Sequence, residues 1–137
     1  MRQFQIPWTA LTLAALMPVH GAMAQSFQSP SGNIHCMHLA GDPEFLRCDI
    51  GAFTPSYPVR PADCEQDYGF AFELAPTGAG YLVCAGDTVN DPAAPVLAYG
   101  DILEMGAFVC QSERAGMNCR NATGGGFFIS RRRQSVF

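Results

Sequence analysis

The chain has 137 residues, a length that fits one domain, and 48% of them are hydrophobic while 15% are charged. This balance excludes the collagen-like, coiled-coil and disordered classes. The 12 acidic residues outnumber the 8 arginines, and there is no lysine. The resulting net charge of −4 argues against a nucleic-acid-binding protein, which needs a basic surface to neutralise phosphates.

Residues 1–24 have the three parts of a secretory signal peptide. Arg2 gives the positive start, residues 9–17 are apolar, and residues 22–24 (AMA) form a small-x-small cleavage site. Pro18 ends the apolar run well short of the roughly 20 residues that span a bilayer. We therefore predict cleavage after Ala24, a mature single domain of residues 25–137 without a membrane span, and a periplasmic or secreted location.

Turn residues divide the mature chain into short segments. Residues 25–32 are a polar lead-in that ends in a Pro-Ser-Gly turn. Residues 51–64 hold three prolines, which predict an extended loop, and residues 86–95 form a second loop. Residues 100–106 are either a short strand or a turn. Strands are predicted where apolar residues alternate or run together: 33–39, 45–50, 68–74, 81–85, 96–99, 108–112, 117–121 and 126–131.

These segments indicate the fold class. Turn signals recur at intervals of roughly 8–12 residues, and no long stretch shows the 3.6-residue period of a helix. We therefore predict an all-β protein, either a small antiparallel sandwich or a barrel, held together by disulfides. The sequence shows no internal repeat and no second domain, and we expect a monomer.

The six cysteines predict a disulfide framework, since they form an even set in a small exported chain. Zinc sites favour cysteines two to four residues apart, whereas the closest pair here, Cys110 and Cys119, is nine apart. The spacing alone leaves 15 possible pairings open. The cysteines are Cys36, Cys48, Cys64, Cys84, Cys110 and Cys119.

One pairing follows from a predicted hairpin. Residues 108–112 and 117–121 flank a four-residue link that ends in Gly116, as a hairpin loop does. If Ser112 faces Met117 in this hairpin, Cys110 faces Cys119 at a distance that a disulfide can bridge. We assign the remaining four cysteines as sequence neighbours, Cys36 with Cys48 and Cys64 with Cys84.

Several motifs together resemble an uncharacterised family of small exported bacterial proteins, a domain of unknown function. The resemblance spans residues 27–137 and implies export and disulfides, but it transfers no catalytic residue. The family pattern has His where this chain has Gly125. The motifs occur in the order FQSPSGNIHC (27–36), CAGDT (84–88), VLAYG (96–100), GAFVCQS (106–112), GMNCRNATG (116–124) and GFFISR (126–131).

Residues 35–38 (HCMH) are the one cluster of soft metal ligands in the mature chain. On a strand, His35 and Met37 share one face while Cys36 and His38 share the other. Only two ligands therefore converge, and Cys36 is expected to be oxidised. We interpret the histidines as ordinary surface or boundary residues and predict no metal and no cofactor, with metal scavenging by His35 and His38 as an alternative.

Acidic residues give two further candidate sites. Asp63, Glu65 and Asp67 alternate as in a calcium loop, but the Gly and Glu that such a loop requires are missing, which favours a solvated acidic loop. Asp87 and Asp91 could form a carboxylate pair for glycoside hydrolysis. We favour turn formation for both, because Asp and Asn stabilise turns through local hydrogen bonds.

The remaining motifs lead to the functional interpretation. Residues 131–133 are three consecutive arginines, which on a strand point to both sides and make no single anionic-lipid patch. No serine-nucleophile or zinc-protease motif is present, so no catalytic residue is assigned and we lean against an enzyme. We predict a non-enzymatic binding module for a protein or envelope ligand, with loops 51–64 and 86–95 as its surfaces. The alternative is an envelope hydrolase that uses Asp87 or Asp91.

Overall fold

Two antiparallel sheets of five strands each form residues 23–137, the part of the chain that the computed structural model describes. In each sheet the strands follow one another in chain order, and no helix occurs in this range. This confirms the predicted all-β antiparallel fold. The first sheet holds β1 (Met23–Gln28), β2 (Ile34–Ala40), β3 (Phe45–Ile50), β4 (Ala71–Leu74) and β5 (Tyr81–Leu82); the second holds β6 (Ile102–Met105), β7 (Phe108–Glu113), β8 (Gly116–Asn121), β9 (Gly126–Ile129) and β10 (Gln134–Val136).

The core lies between the two sheets, which makes the fold a sandwich. Alternate residues of each strand point inward, as the two-residue period of a strand requires. Phe72 of the first sheet and Phe127 of the second are fully buried, and their ring centroids lie 6.1 Å apart. Leu46, Phe108 and Ile129 are also fully buried in this layer.

The three disulfides join the pairs assigned from the sequence. Cys36–Cys48 and Cys110–Cys119 each connect facing residues of a hairpin, with Cα atoms 4.1 Å apart. Cys64–Cys84 ties the long loop after β3 to the segment that follows β5. Ser112 faces Met117 as predicted, although the strands continue to Glu113 and Gly116 and leave a turn of two residues. The register is unchanged because each strand gains one residue.

Three segments differ in kind from their predictions. Residues 25–32 are not a lead-in, since most of β1 lies within them and pairs with β2 along its length. Residues 96–99 form no strand and contribute one isolated bridge, between Val96 and Gln28. The three arginines at 131–133 lie in the turn between β9 and β10, not on a strand, and β10 was not predicted. The predicted signal peptide lies outside the described residues, apart from Met23 and Ala24 at the start of β1.

Loop 51–64 has no strand, as its prolines predicted, but its first half is fixed to β10. Gln134 is buried and its side chain binds the backbone of Thr54 and Ser56. The Tyr57 hydroxyl accepts a hydrogen bond from the amide of Val136. The second half is open to solvent, and Val59 is 81% exposed. The first half of the loop is therefore held in place by β10, although most of its residues are exposed as well.

The backbone packed around Gly125 leaves no space for a side chain. Gly125 is buried, and its amide donates to the side chain of Asn121. The Asn121 side-chain amide also donates to the carbonyls of Ala75 and Gly78, which draws the turn after β4 against Gly125. A Cβ at position 125 would collide with the Gly78 backbone. This position has no room for the His that the resemblance would place there.

We expect Gly125→Ala to lower the free energy of unfolding by about 3 kcal/mol, because the added methyl group meets backbone that no rotamer change can move. Urea unfolding followed by circular dichroism measures this change. The control is Ala122→Ser in the exposed part of the same turn, for which a change of about 0.5 kcal/mol or less is expected. Equal stability of the two variants would contradict the packing argument.

Candidate functional site

A polar row on the outer face of the first sheet fixes loop 86–95. Gln28, His35 and Asp49 are cross-strand neighbours on β1, β2 and β3, and they point away from the core cysteines beside them. All three are at least 91% buried, because loop 86–95 lies across them. Each binds a successive part of the loop backbone: Asp49 Oδ2 accepts from Val89 N (2.9 Å), His35 Nδ1 accepts from Asp91 N (3.2 Å), and Gln28 Nε2 donates to the carbonyls of Pro92 (3.0 Å) and Ala94 (2.7 Å).

Arg47 links this row to the start of the loop. Its guanidinium donates to both carboxylate oxygens of Asp49, at 2.9 and 3.0 Å, and to the Asp87 carboxylate at 3.0 Å. It also donates to the Asp87 carbonyl at 2.9 Å. Burial alone would lower the pKa of Arg47, but its bonds and charge attraction to Asp49 and then Asp87 raise that pKa. The buried cation is therefore paired, as a stable interior charge must be.

His35 and His38 are both buried, so their interpretation as surface or boundary residues is wrong. His35 Nε2 faces the Gly32 carbonyl at 2.9 Å and Nδ1 accepts an amide hydrogen, which defines a neutral ring protonated on Nε2. His38 points to the opposite face of β2, where its ring meets Phe108 of the second sheet edge-on at 5.6 Å. The two rings cannot share an ion. Within residues 23–137, no three His, Cys, Asp or Glu side chains are placed to hold a metal together.

The two candidate hydrolytic carboxylates take part in the loop structure. Asp91 Oδ1 accepts from the amide of Ala93 at 3.0 Å, which closes a turn. Asp87 is paired with Arg47 on one oxygen, and its side chain is 83% exposed. The acidic residues Asp63 and Glu65 are exposed on the other long loop. The structure therefore gives Asp91 the turn-forming role that its sequence context favoured.

A second polar pair lies beside Arg47 on the outer face. The Tyr81 hydroxyl donates to the Glu73 carboxylate at 2.6 Å, and Glu73 is the cross-strand neighbour of Arg47. Burial, and then the bond to and charge of Glu73, raise the pKa of Tyr81 to about 12. The phenol therefore stays protonated at neutral pH and acts as a hydrogen-bond donor.

Glu44 joins the two sheets at the opposite end of β2. Its Oε1 lies 2.9 Å from His38 Nε2 and accepts from the Ala107 amide at 3.2 Å. The hydrogen bond from His38 lowers the pKa of Glu44 below its ordinary value of 4.5, and the bond from Ala107 adds to this effect. Because the folded-state pKa is depressed, the carboxylate contributes full stability above pH 4.5 and loses it as the pH falls through the lower folded value.

We expect Glu44→Gln to lower the free energy of unfolding by about 1 kcal/mol at neutral pH, since it removes a charge-assisted bond between the sheets. This difference between variant and wild type should shrink as the pH falls below 4.5. Denaturant unfolding across that range measures it. Asp42→Asn, at an exposed carboxylate in the same hairpin turn, serves as the control and should show no such trend. A deficit that persists in acid would contradict the assignment.

A cleft of about 190 Å³ opens at one end of the sandwich. Its walls are the turn between β1 and β2, the turn between β7 and β8, and the turn between β9 and β10. Tyr99 closes one side. The turn between β1 and β2 also borders a smaller depression beside Thr88 and Asn90. The cleft and loop 86–95 therefore lie on either side of the same turn.

One protein family matches most of this chain. The model of a family of unknown function, DUF6636, matches residues 9–137. The chain belongs to this family. No curated protein and no solved structure matches the DUF6636 chain. Within its described residues there is no helix long and apolar enough to cross a membrane.

The sequence did not single out Gln28, Arg47 and Asp49, the residues that fix loop 86–95 in this DUF6636 chain. Arg47 and Asp49 alternate with apolar residues in β3, a pattern that predicts solvent-facing side chains. A signal was present nonetheless, because two opposite charges two residues apart on one strand face can form a bidentate pair. The burial by a loop 40 residues further on had no signature in the sequence.

Proposed function

We propose that this protein is exported, that residues 1–24 are removed, and that residues 25–137 act as a non-enzymatic binding module of the cell envelope or extracellular space. Three disulfides support an oxidising environment for the folded chain. Cleavage after Ala24 would leave residues 25–28 of β1, including the buried Phe27 that packs in the core. The same cleavage would remove Met23 and Ala24, which pair with Ala40 and Leu39.

The observation that carries the binding proposal is the attachment of loop 86–95 to the buried row of Gln28, His35 and Asp49. These bonds hold the loop in one conformation before any ligand arrives. A surface that is already ordered loses less entropy on binding, which favours recognition. A catalytic histidine or carboxylate, in contrast, needs a free atom to accept or donate a proton. In His35 and Asp49, these atoms are already hydrogen-bonded to the backbone of loop 86–95.

The surface that we assign to binding surrounds Asp87. This side chain stands between two open depressions of about 410 and 380 Å³, the first beside Arg47 and Gln66 and the second beside Phe70 and Thr88. Thr88 and Asn90 are also exposed on the loop. The combination of a fixed backbone, outward polar groups and an apolar ring matches the mixed composition of protein interfaces.

The test is capture of a partner from an envelope fraction, with the oxidised protein coupled through its terminal amine because the chain has no lysine. The captured component is then titrated against Asp87→Ala/Thr88→Ala, for which we expect affinity about tenfold weaker. Asp42→Ala, exposed in the turn between β2 and β3, should bind within about twofold of wild type because rim charges far from a contact contribute little.

Two outcomes would contradict the proposal. Binding that the Asp87/Thr88 variant retains in full would show that the loop is not the contact surface. Release of sugars from wall material by the wild type, and not by Asp87→Asn/Asp91→Asn, would establish the hydrolase alternative instead. The two carboxylates are then the reacting groups, and the bonds that now occupy them must open in the substrate complex.

A further inference from the structure

The cleft at the end of the sandwich is walled by three hairpin turns. Its volume of about 190 Å³ corresponds to roughly six water molecules, since each occupies about 30 Å³ in the liquid. A single sugar ring or a short phosphorylated fragment fits such a space. The cleft lies between the sheets, so its floor is rigid core and its rim consists of hairpin turns.

Two unpaired guanidinium groups line this cleft. Arg114 lies in the turn between β7 and β8, and Arg131 in the turn between β9 and β10. The ion pairs among residues 23–137 involve neither of them, and no described atom accepts a hydrogen bond from either side chain. The Cζ atom of Arg114 lies over the ring of Tyr99, 5.1 Å from its centroid, a cation–π contact that occupies none of the N–H groups.

The Ser112 side chain reaches the cleft from the core side. Ser112 is 1% exposed and lines the cavity from the inner face of β7. Its hydroxyl makes no hydrogen bond to another described residue. The hydroxyls of Ser29 and Ser130, on the cleft walls, are bonded to the backbone of Ile34 and Arg133 instead. Ser112 therefore supplies a donor whose partner is not another residue of the described chain.

The cleft is locally positive in an acidic chain. Residues 23–100 hold nine acids against two arginines, whereas residues 101–137 hold five arginines against three acids. Of these three acids only Glu113 lines the cleft. The planar fork of arginine donors matches carboxylate and phosphate oxygens, with which it forms paired hydrogen bonds.

We propose that the end cleft binds the anionic group of a small ligand, a carboxylate or a phosphate, through Arg114 and Arg131, with Ser112 as a third donor. This inference deepens the proposed binding function, since it assigns a ligand chemistry at a cleft that shares a wall with loop 86–95. Tyr99 is a positioning residue that holds Arg114 by stacking.

The test is titration of the oxidised ¹⁵N-labelled protein at low salt with galacturonate, glucose 6-phosphate and neutral glucose. We expect at least one of the two anions to shift the amide signals of residues 29, 31–33, 113–117 and 130–131. Its affinity should exceed that of glucose by about tenfold, because charge-assisted hydrogen bonds are lost with the neutral sugar. The anion that binds more tightly identifies whether carboxylate or phosphate is the preferred source.

Matched variants separate the cleft from general positive charge. Arg114→Ala/Arg131→Ala should weaken binding about tenfold or more, and Arg114→Lys about threefold, since lysine keeps the charge but not the fork. Arg120→Ala removes an equivalent stacked arginine on the outer face of the second sheet, over Phe137, and should leave the affinity within about twofold. Equal binding of glucose and both anions, or unchanged binding in the double variant, would overturn the proposal.

The outcomes for the cleft and for loop 86–95 are separable. If the double arginine variant binds the anions normally while envelope capture still depends on Asp87, the cleft assignment fails and the module stands. If the anions bind through Arg114 but the loop variant captures its partner normally, the loop surface fails and the cleft stands.

Discussion

Phe127→Ala is expected to lower the free energy of unfolding by about 3–5 kcal/mol, the usual cost of removing a fully buried aromatic ring. The ring lies between the sheets, and its contact with Phe72 is one of the links that hold them together. Because domains of this size are stable by only about 5–15 kcal/mol, the variant should be close to unfolding. Guanidinium unfolding with the disulfides intact, followed by circular dichroism, measures the change.

The next residue in the chain provides the control. Phe128 points to the outer face of β9, is only half-buried, and stacks with Arg133 at 5.0 Å. We expect Phe128→Ala to lower the free energy of unfolding by about 1 kcal/mol, since the Phe128 side chain loses only part of its exposed area on folding. If the two variants lose the same stability, the assignment of the inner and outer faces of β9 is wrong.

Asp49→Ala is expected to lower the free energy of unfolding by about 3–5 kcal/mol, because it leaves the buried Arg47 guanidinium without its main partner. The variant also removes the acceptor of the Val89 amide, so loop 86–95 loses one of its attachments. Denaturant unfolding gives the total loss. Hydrogen exchange at the Val89 amide reports the local loss of stability in loop 86–95. This exchange should accelerate even under conditions in which the domain stays folded.

Asp87→Ala tests the same arginine from its exposed side. The Asp87 carboxylate is solvent-accessible, and surface ion pairs contribute about 1 kcal/mol or less. The Val89 amide should keep its protection in this variant, because Asp49 is unchanged. If Asp87→Ala lowers the free energy of unfolding as much as Asp49→Ala does, the ion pair with Asp87 is as important for Arg47 as the buried pair with Asp49. That result would contradict the argument from burial.

Local features were predictable from the sequence. The register that joins Cys110 to Cys119 follows from a short link with a glycine at its end, because the hairpin alone determines which residues face each other. The loop at 51–64 follows from the backbone restriction of its prolines. The strand at 45–50 follows from its alternation of apolar and charged residues after the Gly-Asp-Pro break at 41–43. Each depends on neighbours within about a dozen residues, where backbone geometry limits the choices.

Features that depend on distant parts of the chain were not predictable. In residues 25–28 of β1, Phe27 is apolar and its neighbours are polar, so the pattern is that of a lead-in until β2 is known to pair with it. His38 is buried only because β7 of the other sheet lies over it. Asp49 becomes the anchor of a loop because that loop returns across its strand. Burial of polar groups by remote segments has no periodic signature.

The order of the cysteines in the disulfides has a consequence for how the protein matures. Each bond joins two cysteines that are consecutive in the sequence, at separations of 12, 20 and 9 residues. If the cysteines become available from the N-terminus onward, an oxidant that joins each new thiol to the preceding thiol that is still free produces the native set. Oxidative maturation should therefore need a thiol oxidase but no disulfide isomerase, since no bond has to wait for a later cysteine or be reshuffled.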